Sequence, residues 1–136
     1  MRYLAIDLGL KRSGLAVGDD QSDIVSPLEV IAGADTLQRQ RRIQQIIDEH
    51  DIGALVVGLP LNMDGSEGLP ASKARQVARE LGERCGLPVH LVDERLSSAQ
   101  ADTDMAGSGL THKQKKARQD ALAAAAILRN FFSGSA

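Results

Sequence analysis

The stretch from Tyr3 to Asp19 constrains the fold more than any other part of the chain. Two apolar runs, one closing at Leu8 and one opening at Leu15, flank Gly9-Leu10-Lys11-Arg12-Ser13-Gly14, which predicts a β-hairpin with a basic tip. Asp7 stands inside the first run, where its neighbours are apolar. A carboxylate in such a strand is costly to desolvate unless a positive or hydrogen-bonding group meets it, and a bound metal ion is the commonest functional answer. Gly9, two residues on and on the same face, leaves room for a ligand or another backbone to approach. The plainer reading gives Asp7 only the end of a strand and the cap of a turn, and Asp-x-Gly alone does not decide between the two.

A chain of 136 residues is expected to form a single domain, residues 1–136, with a real core. Its 43% hydrophobic and 25% charged residues match a soluble globular protein and exclude a disordered one. No apolar run approaches a membrane span, and the amino terminus leads straight into a strand, so neither a membrane partner nor a signal peptide is expected. The single Cys85 excludes an internal disulfide and a cysteine-built zinc site, which points to the cytoplasm; its own expected role is that of a small, partly buried hydrophobe at a helix end.

A net charge of −2 means that the whole molecule does not advertise itself to nucleic acid, but the basic residues cluster. Lys11-Arg12 form the hairpin tip, and Lys113, Lys115, Lys116 and Arg118 lie together near the carboxyl end. Local basic patches around an acidic centre suit a polyanion that is to be cut. Arg39, Arg41 and Arg42 read as a solvated helix face. Tyr3, Phe131 and Phe132 are the only aromatics, too few for a base-stacking platform.

In chain order, Ile24 to Ile31 is a third β-rich run whose Pro27 favours an edge or a bulge. Asp35-Thr36-Leu37-Gln38 resembles a capping box, and Ile43, Ile46 and Ile47 give the helix after it an apolar stripe as far as His50. Ala54-Leu55-Val56-Val57-Gly58 has the wholly apolar character of a strand buried on both faces in a parallel sheet. The turn-rich loop from Leu59 to Leu69 leaves its carboxyl end, where open α/β sheets put their ligands. Pro70 suits the first turn of a helix that Gly86 and Pro88 stop.

Val89-His90-Leu91-Val92 then runs into Asp93-Glu94-Arg95. Alternation sends Asp93 and Glu94 to opposite faces, so only one of them can share a site with Asp7. Ser97 and Gln100 predict a short helix ending near Gly107, followed by a loop at Ala106-Gly107-Ser108-Gly109 and a last helix, capped at Thr111, to about Phe132. Asp120, Ala123, Ala124, Ile127 and Phe131 share one face of that helix, which aims Asp120 at the sheet.

These elements predict an α/β domain with a mixed five-stranded sheet flanked by helices. Carboxylates on the first strand, at the end of a later strand and on the last helix can converge above the sheet. Such a set suits magnesium or manganese, hard cations that prefer oxygen ligands, and fits metal-assisted phosphodiester displacement.

Four segments resemble the YqgF, or RuvX-type, family: Ala5-Ile6-Asp7-Leu8-Gly9-Leu10-Lys11-Arg12-Ser13-Gly14-Leu15-Ala16; Val57-Gly58-Leu59-Pro60 with Asn62-Met63-Asp64-Gly65; Asp93-Glu94-Arg95-Leu96-Ser97; and Asp120-Ala121-Leu122-Ala123-Ala124. They lie in the family's order and spacing along the whole chain. The resemblance implies a ribonuclease H-like fold and a Mg2+- or Mn2+-dependent nuclease, described in that family as a pre-16S rRNA nuclease and as a Holliday junction resolvase. It implies Asp7, Glu94 and Asp120 as catalytic metal ligands. It further suggests that Lys11, Arg12, Asn62, Asp64 and Gly65 lie beside the substrate, and by their charge Arg95, Lys116 and Arg118 are further candidate nucleic-acid contacts. Ser13 and Ser97-Ser98 depart from the residues common there. The expected partner is nucleic acid, precursor rRNA before branched DNA, and the expected state is a monomer or homodimer. Two symmetric cuts in a junction would require two sites, hence a dimer. A nucleotide-binding module of the sugar kinase and actin type shares an early Asp-x-Gly but needs a second domain, and a noncatalytic nucleic-acid-binding platform has no need of buried acids.

Overall fold

The structure, a computed structural model, describes residues 1–9, 11–33, 35–94 and 112–134, the last with side chains from Gln119 onward. Strands β1 (Arg2–Leu8), β2 (Arg12–Asp19) and β3 (Val25–Ala32) are followed by α1 (Thr36–His50), β4 (Ile52–Leu59), α2 (Leu69–Cys85), β5 (Val89–Asp93) and α3 (His112–Phe132). The strands form one sheet in the order β3-β2-β1-β4-β5. β2 is antiparallel to β1 and β3, while β4 is parallel to both β1 and β5, giving the mixed five-stranded sheet that the sequence predicts. The predicted helix from Ser97 and the loop at Ala106 to Gly109 lie outside the described residues.

Side-chain alternation sorts the core into two layers. Leu4, Ile6, Leu15, Leu55 and Val57 pack with Ile43, Ile46 and Ile47 of α1 and Leu81 of α2. Ala5, Ala16, Val56 and Val92 pack on the opposite face against Ala124, Ala125, Ile127 and Leu128 of α3. Small residues on both sides bring α3 close to the sheet, and each buried Leu or Ile contributes about 1.5–3 kcal/mol. Tyr3, His90, Phe131 and Phe132 close this second layer as one ring cluster.

Local signals account for the boundaries. Asp35 caps α1, its Oδ1 accepting from the backbone N–H groups of Leu37 at 2.9 Å and Gln38 at 3.2 Å. Pro27 sits on the edge strand β3, beside the register shift between Leu15 and Ala16. Cys85 ends α2 against the first core layer, as expected of a small hydrophobe, and burial pushes its thiol up.

The basic group on α1 matches its sequence reading as a solvated face only in part: Arg41 is exposed, but the other two differ. Arg39 is buried, and Arg42 pairs with Glu29 of β3 through two bonds of 2.9 and 2.6 Å. Arg39 falls on the stripe of Ile43, Ile46 and Ile47, so position on the helix overrides residue type.

Candidate active site

The parallel strands β1, β4 and β5 end on one edge of the sheet, and the acids gather there. Asp7 lies two residues beyond Ala5, so it faces the α3 layer. On β5, His90 touches Phe131 and Val92 packs on α3, so alternation carries Glu94 to the same face and Asp93 to the other. The backbone N–H of Glu94 donates to Leu59 O at 3.2 Å, extending the β4–β5 ladder by a residue. Of the two acids that the sequence leaves open, Glu94 is thus the one on the face of Asp7.

Two glycines clear space around Asp7. Gly14 is its cross-strand partner on β2, and a Cβ there would fall on the backbone carbonyl of Asp120. On β4, Gly58 follows Val57, the partner of Ile6, and a Cβ there would come within 2.5 Å of both Glu94 Oε2 and Ile127 Cδ1. Gly14 therefore admits the head of α3, and Gly58 admits the Glu94 carboxyl. The sequence reading missed Gly58 as a site position, although glycine in a short central strand is the usual sign of a close approach. Gly9 has a more local role: its N–H donates to Arg12 O at 2.9 Å, closing the hairpin tip.

The electrostatics mark Asp7 and Glu94 as one unit. Burial raises the Asp7 carboxyl, the charge of Asp120 raises it further, and a hydrogen bond with Glu94 works the other way. Glu94 is pushed up to about 9, by burial first and then by the charge and hydrogen bond of Asp7. The pair therefore shares a proton at neutral pH, Glu94 donating and the Asp7 carboxylate accepting. When both acids are ionised neither can donate, and Glu94 Oε2 is then a buried acceptor without a partner.

Asp120 enters from α3 but faces a different neighbour. Arg12 Nε donates to its Oδ2 at 2.8 Å, an ion pair joining the hairpin to the helix across 108 residues of sequence. Among the described residues no three His, Cys, Asp or Glu side chains stand as a ready-made metal cluster. The donor chemistry nevertheless fits a hard divalent cation: carboxylate oxygens alone, one of them orphaned when ionised, beside a strand that glycine leaves open.

Those of the remaining predicted contacts that fall among the described residues lie in the turn after β1 and the loop after β4. Lys11 is exposed at the hairpin tip, and its carbonyl accepts from Gly33 N at 2.8 Å. Asn62, Asp64 and Gly65 are exposed in the loop after β4. That loop is internally braced: Asn62 Nδ2 donates to Ser66 Oγ at 3.0 Å, and Ser66 Oγ donates to Asp64 Oδ1 at 2.6 Å. Arg75 of α2 grips Glu67 in the same loop through bonds of 2.6 and 2.9 Å. Arg95 and the side chains of Lys116 and Arg118 lie outside the described residues. Among the described residues no helix is long and apolar enough to cross a membrane.

The family described as "RuvX: Holliday junction resolvase" matches residues 1–134. A relative from Anaeromyxobacter sp. (strain Fw109-5), named "Putative pre-16S rRNA nuclease", is 43% identical over 134 residues, covering 98% of each chain. One of the same name from Thiobacillus denitrificans is 43% identical over 129 residues, covering 95% of this chain and 89% of its own. Among solved structures, T. thermophilus RuvC in complex with a Holliday junction substrate superposes with a TM-score of 0.61 at 18% identity, covering 99% of this chain and 97% of that one. The fowlpox virus Holliday junction resolvase gives 0.58 at 12% identity, covering 98% of this chain and 99% of that one. These likenesses identify the sheet and its helices as a ribonuclease H-like fold.

Proposed function

The chain belongs to the RuvX family, and from that premise we propose that it is a divalent-metal-dependent endonuclease acting on structured nucleic acid, with the 5′ end of pre-16S rRNA as its target. The observation that carries this reading is the Asp7–Glu94 pair, half-buried at the carboxyl edge of the parallel strands, with the Glu94 Oε2 atom itself buried and left without a donor when ionised. A purely structural sheet edge has no use for so costly an arrangement, which also weighs against a noncatalytic platform.

In this reading Asp7, Glu94 and Asp120 hold Mg2+ or Mn2+. When bound, the ion supplies charge stabilisation at the phosphate and a more acidic water. Glu94 gives up its proton as the site charges, and Asp7, fixed on a central strand, sets the position of the group it faces. Lys11 and the braced loop of Asn62, Asp64 and Gly65 flank the phosphate path, with Arg95, Lys116 and Arg118 as further contacts by charge. The reading places the protein in the cytoplasm, where precursor rRNA is found, as monomer or homodimer.

A second reading, cleavage of four-way DNA junctions, rests on the description that the matching family carries. The two separate in one assay: purified protein with Mg2+ or Mn2+ is given a 5′-extended 16S precursor and a four-way DNA junction side by side. Cutting of the RNA supports the first reading, cutting of the junction alone replaces it with the second, and cutting of neither overturns both.

A further inference from the structure

The Arg12–Asp120 ion pair is the contact that the nuclease reading leaves unexplained. Arg12 begins β2 at the hairpin tip, on the rim where a polyanion would lie, yet its Nε is spent on Asp120 Oδ2 at 2.8 Å. Both side chains keep over a quarter of their surface in solvent, 27% for Arg12 and 29% for Asp120, so either can change partner without crossing the core. The acids meanwhile stand two and one: Asp7 with Glu94, and Asp120 with Arg12.

A guanidinium and a divalent cation compete for the same carboxylate, and a guanidinium released from a carboxylate is suited to a phosphate of similar geometry. We infer that Arg12 is an exchangeable counterion of Asp120: it neutralises the acid in the metal-free protein, and a cation on Asp120 displaces it onto a phosphate of the substrate. Metal occupancy and the grip on nucleic acid are thereby coupled through one side chain. This inference rests on the nuclease reading for its phosphate, but the exchange itself has a readout without nucleic acid.

That readout is Mn2+ titration calorimetry of Arg12→Gln, which keeps a hydrogen-bonding side chain but removes the charge. Freed from its competitor, the variant binds Mn2+ about threefold more tightly than wild type; equal or weaker binding overturns the exchange. The second arm measures the salt dependence of binding to a four-way junction and to a 5′-extended 16S fragment, without metal and with Ca2+ in place of the catalytic ion. Each phosphate contact adds about 0.7–0.9 to the log–log slope. Wild type and Arg12→Gln have the same slope without metal, and wild type exceeds the variant by about one contact with Ca2+. Asp120→Asn, which frees Arg12 permanently, shows the extra contact without metal. A slope lower for Arg12→Gln in both conditions makes Arg12 a constitutive phosphate contact, and no difference in either makes it structural; both results overturn the inference. Tighter Mn2+ binding with no nucleic-acid binding by any protein leaves the exchange standing and removes the nuclease reading instead.

Discussion

Asp7 and Gly14 face each other across the β1–β2 ladder, and the Asp120 backbone occupies the space that a Gly14 side chain would need. One missing Cβ therefore brings the third acid's helix to the first acid's strand. A backbone carbonyl cannot swing aside, so Gly14→Ala must push α3 off the sheet. The expected cost is about 1–3 kcal/mol, an overpacking penalty that lowers Tm by about 5 °C or more in a domain of this size. An unchanged melting curve would show that α3 does not rest on Gly14.

Gly58 separates function from stability. The atoms that an added Cβ would meet, Glu94 Oε2 and Ile127 Cδ1, are the far ends of flexible side chains. Gly58→Ala should therefore melt close to wild type while Glu94 is displaced by part of an ångström, a misplacement that can cost about 100-fold in rate. Retention of full cleavage with normal stability would remove Glu94 from the site.

Glu94 also makes metal-free stability depend on pH, with a definite sign. Its carboxyl is raised from the ordinary 4.5 to about 9, so between those values the folded protein holds a proton that the unfolded chain has lost. Stability from this group is complete below about 4.5 and is lost as pH rises through 9. Thermal melts in a chelator from pH 5 to 9 should show a falling Tm, and Glu94→Gln, which cannot ionise, should flatten it. A Tm that rises over this range would contradict the proton-sharing pair.

Ser13 offers a gain. It is 1% exposed between Leu8 and Ile31 in the ladders, and its Oγ is buried with no hydrogen-bond partner. Ser13→Ala removes the unsatisfied hydroxyl and should raise stability by about 1 kcal/mol in denaturant unfolding. A loss of that size would mean that the hydroxyl has a partner in solution.

Much of this arrangement was legible because period and residue type agree. The apolar run from Ala54 to Gly58 could be little else than a central strand, and the small-residue stripe of Ala123, Ala124 and Ile127 predicted a helix lying close on a sheet. The side of Glu94 was written in the sequence too, since Val92 must be buried and Glu94 follows it by two. Arg39 was misread because charge was weighed above its place on the Ile43 and Ile46 stripe. The Arg12–Asp120 pair was illegible in principle, because nothing local links residues 108 positions apart.

Calorimetric titration of Mn2+ into wild type and Asp7→Asn shows whether Asp7, Glu94 and Asp120 together hold a divalent cation. Wild type should bind the ion and release protons on doing so, while Asp7→Asn, with its melting curve intact, should lose that binding. Equal Mn2+ binding by the two proteins would show that Asp7 does not hold the ion.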